Sequence, residues 1–167
     1  TPMEGLPMGT RVGDIDAGAV IYLAQKNKLN LNQLEEYLNF RCGLFGLSGK
    51  TGDVRELLDL EKRKNKKAAL ALEILIYKIQ KYIGSYVAAL NGLDLLIFSA
   101  TIGERSFIIR SRICKNLDQL GILLDEKKNT QVVSRDGYIH KKPSRVKITV
   151  LTTDEMEEIA NQTIKII

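Results

Sequence analysis

Leu72, Ile76, Ile79, Ile83, Val87 and Leu90 recur three or four residues apart, and this stripe constrains the fold more than any other feature of the chain. Such spacing puts all of them on one side of a 3.6-residue helix, so a long helix is predicted over 65–90. Asn91-Gly92 ends it, because glycine is free to take the left-handed cap. Residues 93–98 (Leu-Asp-Leu-Leu-Ile-Phe) follow at once. A short apolar run of that kind, bounded by small residues, reads as a buried strand.

The rest of the chain extends the alternation. Asp16 and Asn30 are placed to cap helices over Ala17–Asn27 and Leu31–Phe40. Further helices are predicted over 107–120, with Ile109, Ile113, Leu117 and Leu120 on one side, and over 154–166. Candidate strands are 121–124, 131–134 and an alternating run at 146–151. Residues 1–18, with Gly5, Gly9, Gly13, Gly18, Pro2 and Pro7, read as an ordered loop. Segment 42–49, Cys-Gly-Leu-Phe-Gly-Leu-Ser-Gly, is expected to break regular structure. Helices alternating with buried strands make the class α/β with at least one crossover connection. No repeat or linker divides the sequence, so one domain is expected over 1–167.

Composition narrows the chemistry. With 44% hydrophobic and 27% charged residues the chain has the make-up of a globular domain. Two cysteines, Cys42 and Cys114, and one histidine, His140, leave too few ligands for a disulfide scaffold or a His/Cys metal site. Any chemistry must rest on Asp, Glu, Arg and backbone amides. No apolar run approaches the ~20 residues of a membrane span, so no membrane partner is expected. The net charge of +5 and a pI near 9.2 raise a nucleic-acid reading. The excess, however, is local to Lys62, Arg63, Lys64, Lys66 and Lys67 and to the pairs Lys127-Lys128 and Lys141-Lys142. No aromatic side chains interleave with them as a stacking platform would require, so no nucleic-acid partner is expected. Thr1, not Met, opens the sequence, as expected of a piece of a longer chain.

Three segments place glycine beside a charged residue at the end of a regular element. In Gly9-Thr10-Arg11-Val12-Gly13-Asp14-Ile15-Asp16, the arginine either presents a permanent planar cation to an anion or is paired locally to one of the two aspartates. In Ser48-Gly49-Lys50-Thr51-Gly52-Asp53-Val54-Arg55, Gly-Lys-Thr suggests a phosphate loop. The required earlier glycine would fall at Leu44, and Gly43 misses by one. Ser48, Asp53 and Arg55 are then candidates to meet polar groups of a ligand such as a ribose or purine. The third segment, Ser99-Ala100-Thr101-Ile102-Gly103-Glu104-Arg105, lies between a strand and a helix, and is either an ordinary strand-to-helix turn or a place where ligands bind in α/β sheets. A fourth junction, Thr152-Thr153-Asp154-Glu155, is explained by a helix cap alone.

Taken together, these segments resemble the second half of acetate kinases. The resemblance is carried by residues 1–16 (Thr-Pro-Met-Glu-Gly-Leu-Pro-Met-Gly-Thr-Arg-Val-Gly-Asp-Ile-Asp), Gly46-Leu-Ser-Gly49, Asp53-Val-Arg55, Leu90-Asn-Gly-Leu-Asp94, Ile102-Gly-Glu104 with Ile109-Arg110, and Thr153-Asp-Glu155. It implies a mixed sheet flanked by helices, as in the acetate and sugar kinase, actin and chaperone ATPase superfamily (ribonuclease H-like). It also implies a C-terminal nucleotide-binding domain acting in ATP + acetate = ADP + acetyl phosphate with Mg²⁺, as a cytoplasmic homodimer. By the same resemblance Arg11 stabilises the transferring phosphoryl group and Pro2 lines the acetate methyl pocket. Asp53, Val54, Arg55, Thr101, Ile102, Gly103, Glu104 and Arg105 contact the nucleotide, and Glu155 is a magnesium ligand.

The family's usual glycine is replaced by Thr101 and its asparagine by Arg105. If position 101 needs a positive φ, Thr101 is strained and blocks the nucleotide. Otherwise its hydroxyl serves the ligand. The family's first half supplies an Asn and a Lys near the phosphates, a second arginine, a catalytic aspartate and a histidine. None has a counterpart here, and His140 stands outside any matching motif. The chain alone is therefore expected to be inactive. A propionate or other short-chain acid kinase, and a non-catalytic nucleotide-binding or dimerisation module, are the alternatives.

Overall fold

The computed structural model describes residues 1–166. Two compact units divide the chain, Thr1–Ile83 and Gly84–Ile167. The boundary lies inside the long helix and not at a linker, so no composition shift could mark it in the sequence.

The first unit is helical after its opening loop: α1 (Ala17–Asn27), α2 (Leu31–Phe40), α3 (Gly43–Ser48), α4 (Val54–Lys62) and most of α5 (Lys66–Ala89). Asp16 caps α1 through the Ala19 N–H, and Asn30 and Gln33 close a reciprocal capping box on α2. Asn65 Oδ1 accepts the Ala68 N–H at 3.0 Å at the start of α5. The predicted stripe on α5 is only partly core. Leu72 is fully buried, together with Ala68, Ala71 and Leu75, whereas Leu90 stays exposed. Leu44, Val54, Leu57 and Leu58 complete the buried apolar set.

Residues 42–49 correct the expected break. Gly43 takes φ +58° at the start of α3, and a Cβ there would collide with the Met8 carbonyl oxygen. Glycine serves here as the only residue able to begin a helix against another backbone, not as a breaker.

The second unit holds β1 (Leu95–Phe98), α6 (Ala100–Arg105), α7 (Phe107–Cys114), α8 (Glu126–Gln131), β2 (Gly137–Tyr138), β3 (Lys147–Val150) and α9 (Glu155–Ile164). The sheet is three-stranded and mixed, in the order β1-β3-β2, with β1 parallel and β2 antiparallel to β3. Because β3 is central, Ile148, Thr149 and Val150 are all buried, and the expected alternation is lost. The parallel pair Leu96↔Ile148 supplies the expected crossover.

The strand expected to be buried at 93–98 is mostly open: Leu95 and Ile97 are exposed and only Phe98 is buried. Three further expectations fail in this unit for local reasons. The helix from Phe107 stops at Cys114, because Lys115 is extended and Asn116 takes φ +63°. In residues 121–124 Gly121 takes the left-handed φ +83° that closes a short 3-10 turn, and the segment pairs through the single bridge Leu124↔His140 and the Val146 N–H to the Gly121 carbonyl. There the Ser144 hydroxyl donates to the Gly121 carbonyl and accepts the Leu123 N–H, occupying positions that a strand ladder would use. Residues 131–134 are the end of α8 and a turn with Ser134 at φ +52°.

Candidate active site

Within the first unit the Arg11 loop is built from backbone hydrogen bonds. Met8 N–H donates to the Arg11 carbonyl at 3.1 Å and closes a tight turn. The free N–H groups at the start of α3 then fasten that turn: Cys42 to Thr10 O at 3.0 Å, Leu44 to Met8 O at 2.8 Å and Phe45 to Gly9 O at 2.9 Å. A helix start leaves such donors without intrahelical partners, and here they hold a loop. On the other side Gly52 lies so close that a Cβ would strike the Gly9 carbonyl. The segments bearing Arg11 and Asp53, far apart in sequence, thus meet at Gly9 and Gly52.

The two aspartates that offered Arg11 a local pair are engaged elsewhere. Asp14 accepts the Tyr82 hydroxyl at 2.6 Å and the Gly5 N–H at 2.9 Å, with Lys78 Nζ 4.0 Å away. The Tyr82 hydroxyl, then the Gly5 amide, hold the Asp14 carboxyl below its usual range. Asp16 caps α1. Among the described residues the half-buried Arg11 makes no side-chain hydrogen bond or ion pair.

The Gly-Lys-Thr segment is no phosphate cradle. Lys50 and Thr51 both turn their N–H groups to Ser48 Oγ at 3.1 Å, while that hydroxyl donates to the Thr51 carbonyl at 2.9 Å. Ser48, 2% exposed, is therefore consumed in its own turn and does not face a ligand. Asp53 caps α4 through the Arg55 N–H at 2.8 Å and grips the Arg55 guanidinium at 2.5 and 3.1 Å. The Arg55 side chain brings its carboxyl down to about 2. Val54 packs in the core, with 6% exposure, so its side chain is turned away from any ligand. Arg55 extends into solvent and Pro2 is exposed.

In the second unit residues 101–105 lie in α6, which follows β1 after Ser99. The left-handed residue is Ala100 at φ +57°, and Thr101 is not among the residues of positive φ. The expected strain at Thr101 is thereby corrected: a glycine at 101 would supply room, not conformation. An L-residue in the left-handed region costs roughly 1–2 kcal/mol. Ala100→Gly is accordingly expected to stabilise the fold by about 1 kcal/mol, less the greater freedom of glycine when unfolded. Thr101→Gly, inside the helix, should destabilise by roughly 0.5–1 kcal/mol. Urea denaturation of the two variants checks the pair; the reverse order would return the strain to Thr101.

Thr101, Ile102 and Arg105 are exposed, but Glu104 is turned inward at 8% exposure. Its Oε1 accepts both the N–H and the hydroxyl of Thr153, each at 2.9 Å. Beside it, Asp136 Oδ1 accepts the N–H and hydroxyl of Thr152, each at 2.7 Å, and the Thr152 amide, then its hydroxyl, lower the Asp136 carboxyl. The turn between β3 and α9 is clamped by two acids. It leads to Asp154, which caps α9 through the Glu157 N–H, and to the exposed Glu155.

The family motifs include Glu104, Arg110 and Thr153, but no sequence signal marked the clamps or the burial of the guanidinium. Arg110 is fully buried and donates to the carbonyls of Gly103, Glu104, Asn129 and Val132 and to Asn129 Oδ1. Asn129 in turn donates to the Phe107 carbonyl. Burial lowers the Arg110 guanidinium and pushes the free Cys114 thiol up to about 12. His140 accepts the Ile148 N–H on Nδ1 and belongs to the sheet edge.

Among the described residues no three His, Cys, Asp or Glu side chains cluster as a metal cage, and no helix is long and apolar enough to cross a membrane. Residues 1–161 match the sequence profile of the acetokinase family. Acetate kinases of Bacteroides thetaiotaomicron and Dictyoglomus turgidum are each 43% identical over all of this chain. The chain spans 42% and 41% of their lengths. Among solved structures, Porphyromonas gingivalis acetate kinase superposes with a TM-score of 0.93 at 38% identity, over 99% of this chain and 42% of that one. A propionate kinase from Francisella tularensis gives 0.87 at 34% identity, over 97% and 41%.

Proposed function

Because the chain belongs to the acetokinase family, we propose that it is the C-terminal, nucleotide-binding part of a carboxylate kinase that moves the ATP γ-phosphoryl group to acetate. The observation that carries this reading is Arg11, a half-buried cation strapped by the start of α3 and left without an anionic partner among the described residues. Phosphoryl transfer asks for charge stabilisation at a fixed place more than for covalent chemistry. A guanidinium fork on a loop fixed by its own backbone meets that demand. The other site roles follow the family pattern. Pro2 borders the acetate methyl, and 53–55 contribute the Arg55 cation held by Asp53. Thr101, Ile102, Gly103 and Arg105 receive the adenosine.

Magnesium fits as a water-rich site on one carboxylate. Mg²⁺ prefers one or two carboxylates together with substrate phosphates over an all-protein cage, and Glu155 offers one exposed oxygen donor on a clamped turn. When bound, the ion neutralises phosphate charge. Acting alone, this chain is expected to give no turnover, since aspartate, histidine and second-arginine counterparts are lacking. The reading includes a homodimer, an N-terminal half as partner, and a cytoplasmic location where ATP is abundant. Propionate is the alternative acid, favoured by the likeness to a propionate kinase.

Calorimetric titration of the chain with ADP and Mg²⁺ tests the nucleotide role. Saturable one-to-one binding is expected. No heat with either ADP or ATP would favour a dimerisation module instead.

A further inference from the structure

The family pattern puts Glu104 among the nucleotide contacts, yet its carboxylate points away from solvent and spends one oxygen on both donors of Thr153. We propose that Glu104 is a positioning residue that locks Thr153 and thereby fixes the Glu155 carboxylate for a divalent cation, tying the metal-bearing turn to α6. Without that clamp, two of the turn's donors lose their acceptor. The helix α9 that begins at Glu155 has no buried residue to hold its start in place. Asp136 performs the same task on Thr152, but it lies outside 101–105 and cannot link the turn to the nucleotide helix.

The backbone of α6 is held independently. The Gly103 and Glu104 carbonyls accept Arg110 at 2.7 and 2.9 Å. Removing the Glu104 carboxylate should therefore leave 101–105 in place and release only the turn. Nucleotide and metal affinities are linked reciprocally, so a misplaced Glu155 weakens ADP binding only when the metal is present.

This rests on Glu155 as the magnesium ligand, and the experiment separates the two ideas. ADP affinity is measured by calorimetry on the 167-residue chain with and without Mg²⁺. Glu104→Ala is expected to weaken ADP about tenfold with Mg²⁺ and less than threefold without it. Glu104→Gln, whose amide oxygen still accepts both donors, should restore binding to within about threefold. Thr153→Val, which loses only the hydroxyl, should fall between. The Gln and Val variants carry the test should the alanine variant fail to fold. Equal weakening in the presence and absence of Mg²⁺ would make Glu104 a nucleotide contact and overturn the proposal. If Glu155→Gln abolishes the Mg²⁺ effect while the Glu104 and Thr153 variants keep it, the positioning role alone is wrong. If Glu155→Gln also keeps it, the magnesium reading falls and the proposal with it.

Discussion

Arg110→Ala is expected to destabilise the fold by about 3–5 kcal/mol. A buried ion pair replaced whole by apolar groups is often neutral, because two desolvated charges leave together. Arg110 is a different case. Its acceptors are the main-chain carbonyls of Gly103, Glu104, Asn129 and Val132 and the Asn129 amide oxygen, all of which remain when the guanidinium is removed. Each buried polar group left without a partner costs roughly 1–3 kcal/mol, and only partial rehydration of a cavity keeps the total below their sum. Arg110→Lys should recover less than half of the loss. One ammonium cannot reach carbonyls disposed around a planar fork. Urea denaturation with an unchanged m-value would show the loss as stability alone. A change under 1 kcal/mol would mean that water replaces the guanidinium freely.

Much of this architecture is legible in the sequence because single-element patterns suffice for it. Asp16 and Asn30 cap the helices they precede, and the strand at Leu95–Phe98 follows the α5 stop. What escapes is every feature in which one backbone serves another. Gly43 resembles a helix breaker until the Met8 carbonyl occupies the space where its Cβ would stand. The 121–124 segment resembles a strand, yet Gly121 is left-handed and the Ser144 hydroxyl takes the Leu123 N–H.

The candidate site divides the same way. Arg11 stands in a motif specific enough to find, and its lack of a partner emerges only when Asp14 is seen on Tyr82 and Asp16 on α1. Val54 and Glu104 sit inside the expected nucleotide segments, but folding turns one side chain into the core and the other onto Thr153. Arg110 is adjacent to the buried Ile109 and four residues before the buried Cys114. A charged residue there carries no periodic signal of burial, since its partners lie on α6 and α8 and beyond.

Arg11 is the residue on which the proposed phosphoryl transfer turns. If its guanidinium stabilises charge on the transferring phosphoryl group, its contribution appears in the transition state and hardly in ground-state binding. Losing one preorganised donor of that kind costs about 2.7–4 kcal/mol, or ~10²–10³ in kcat. A residue that merely held its loop would act otherwise, because the loop is fastened by the Cys42, Leu44 and Phe45 amides without help from the Arg11 side chain. Arg11→Ala should therefore leave the fold and the ADP affinity near their starting values. The most direct measurement is acetyl phosphate formation by the full-length enzyme carrying Arg11→Ala, with kcat and the KM for ATP determined separately. The expected result is a kcat lower by about 10²–10³ with the KM for ATP moved less than tenfold. A kcat within about threefold of the unsubstituted enzyme would contradict it.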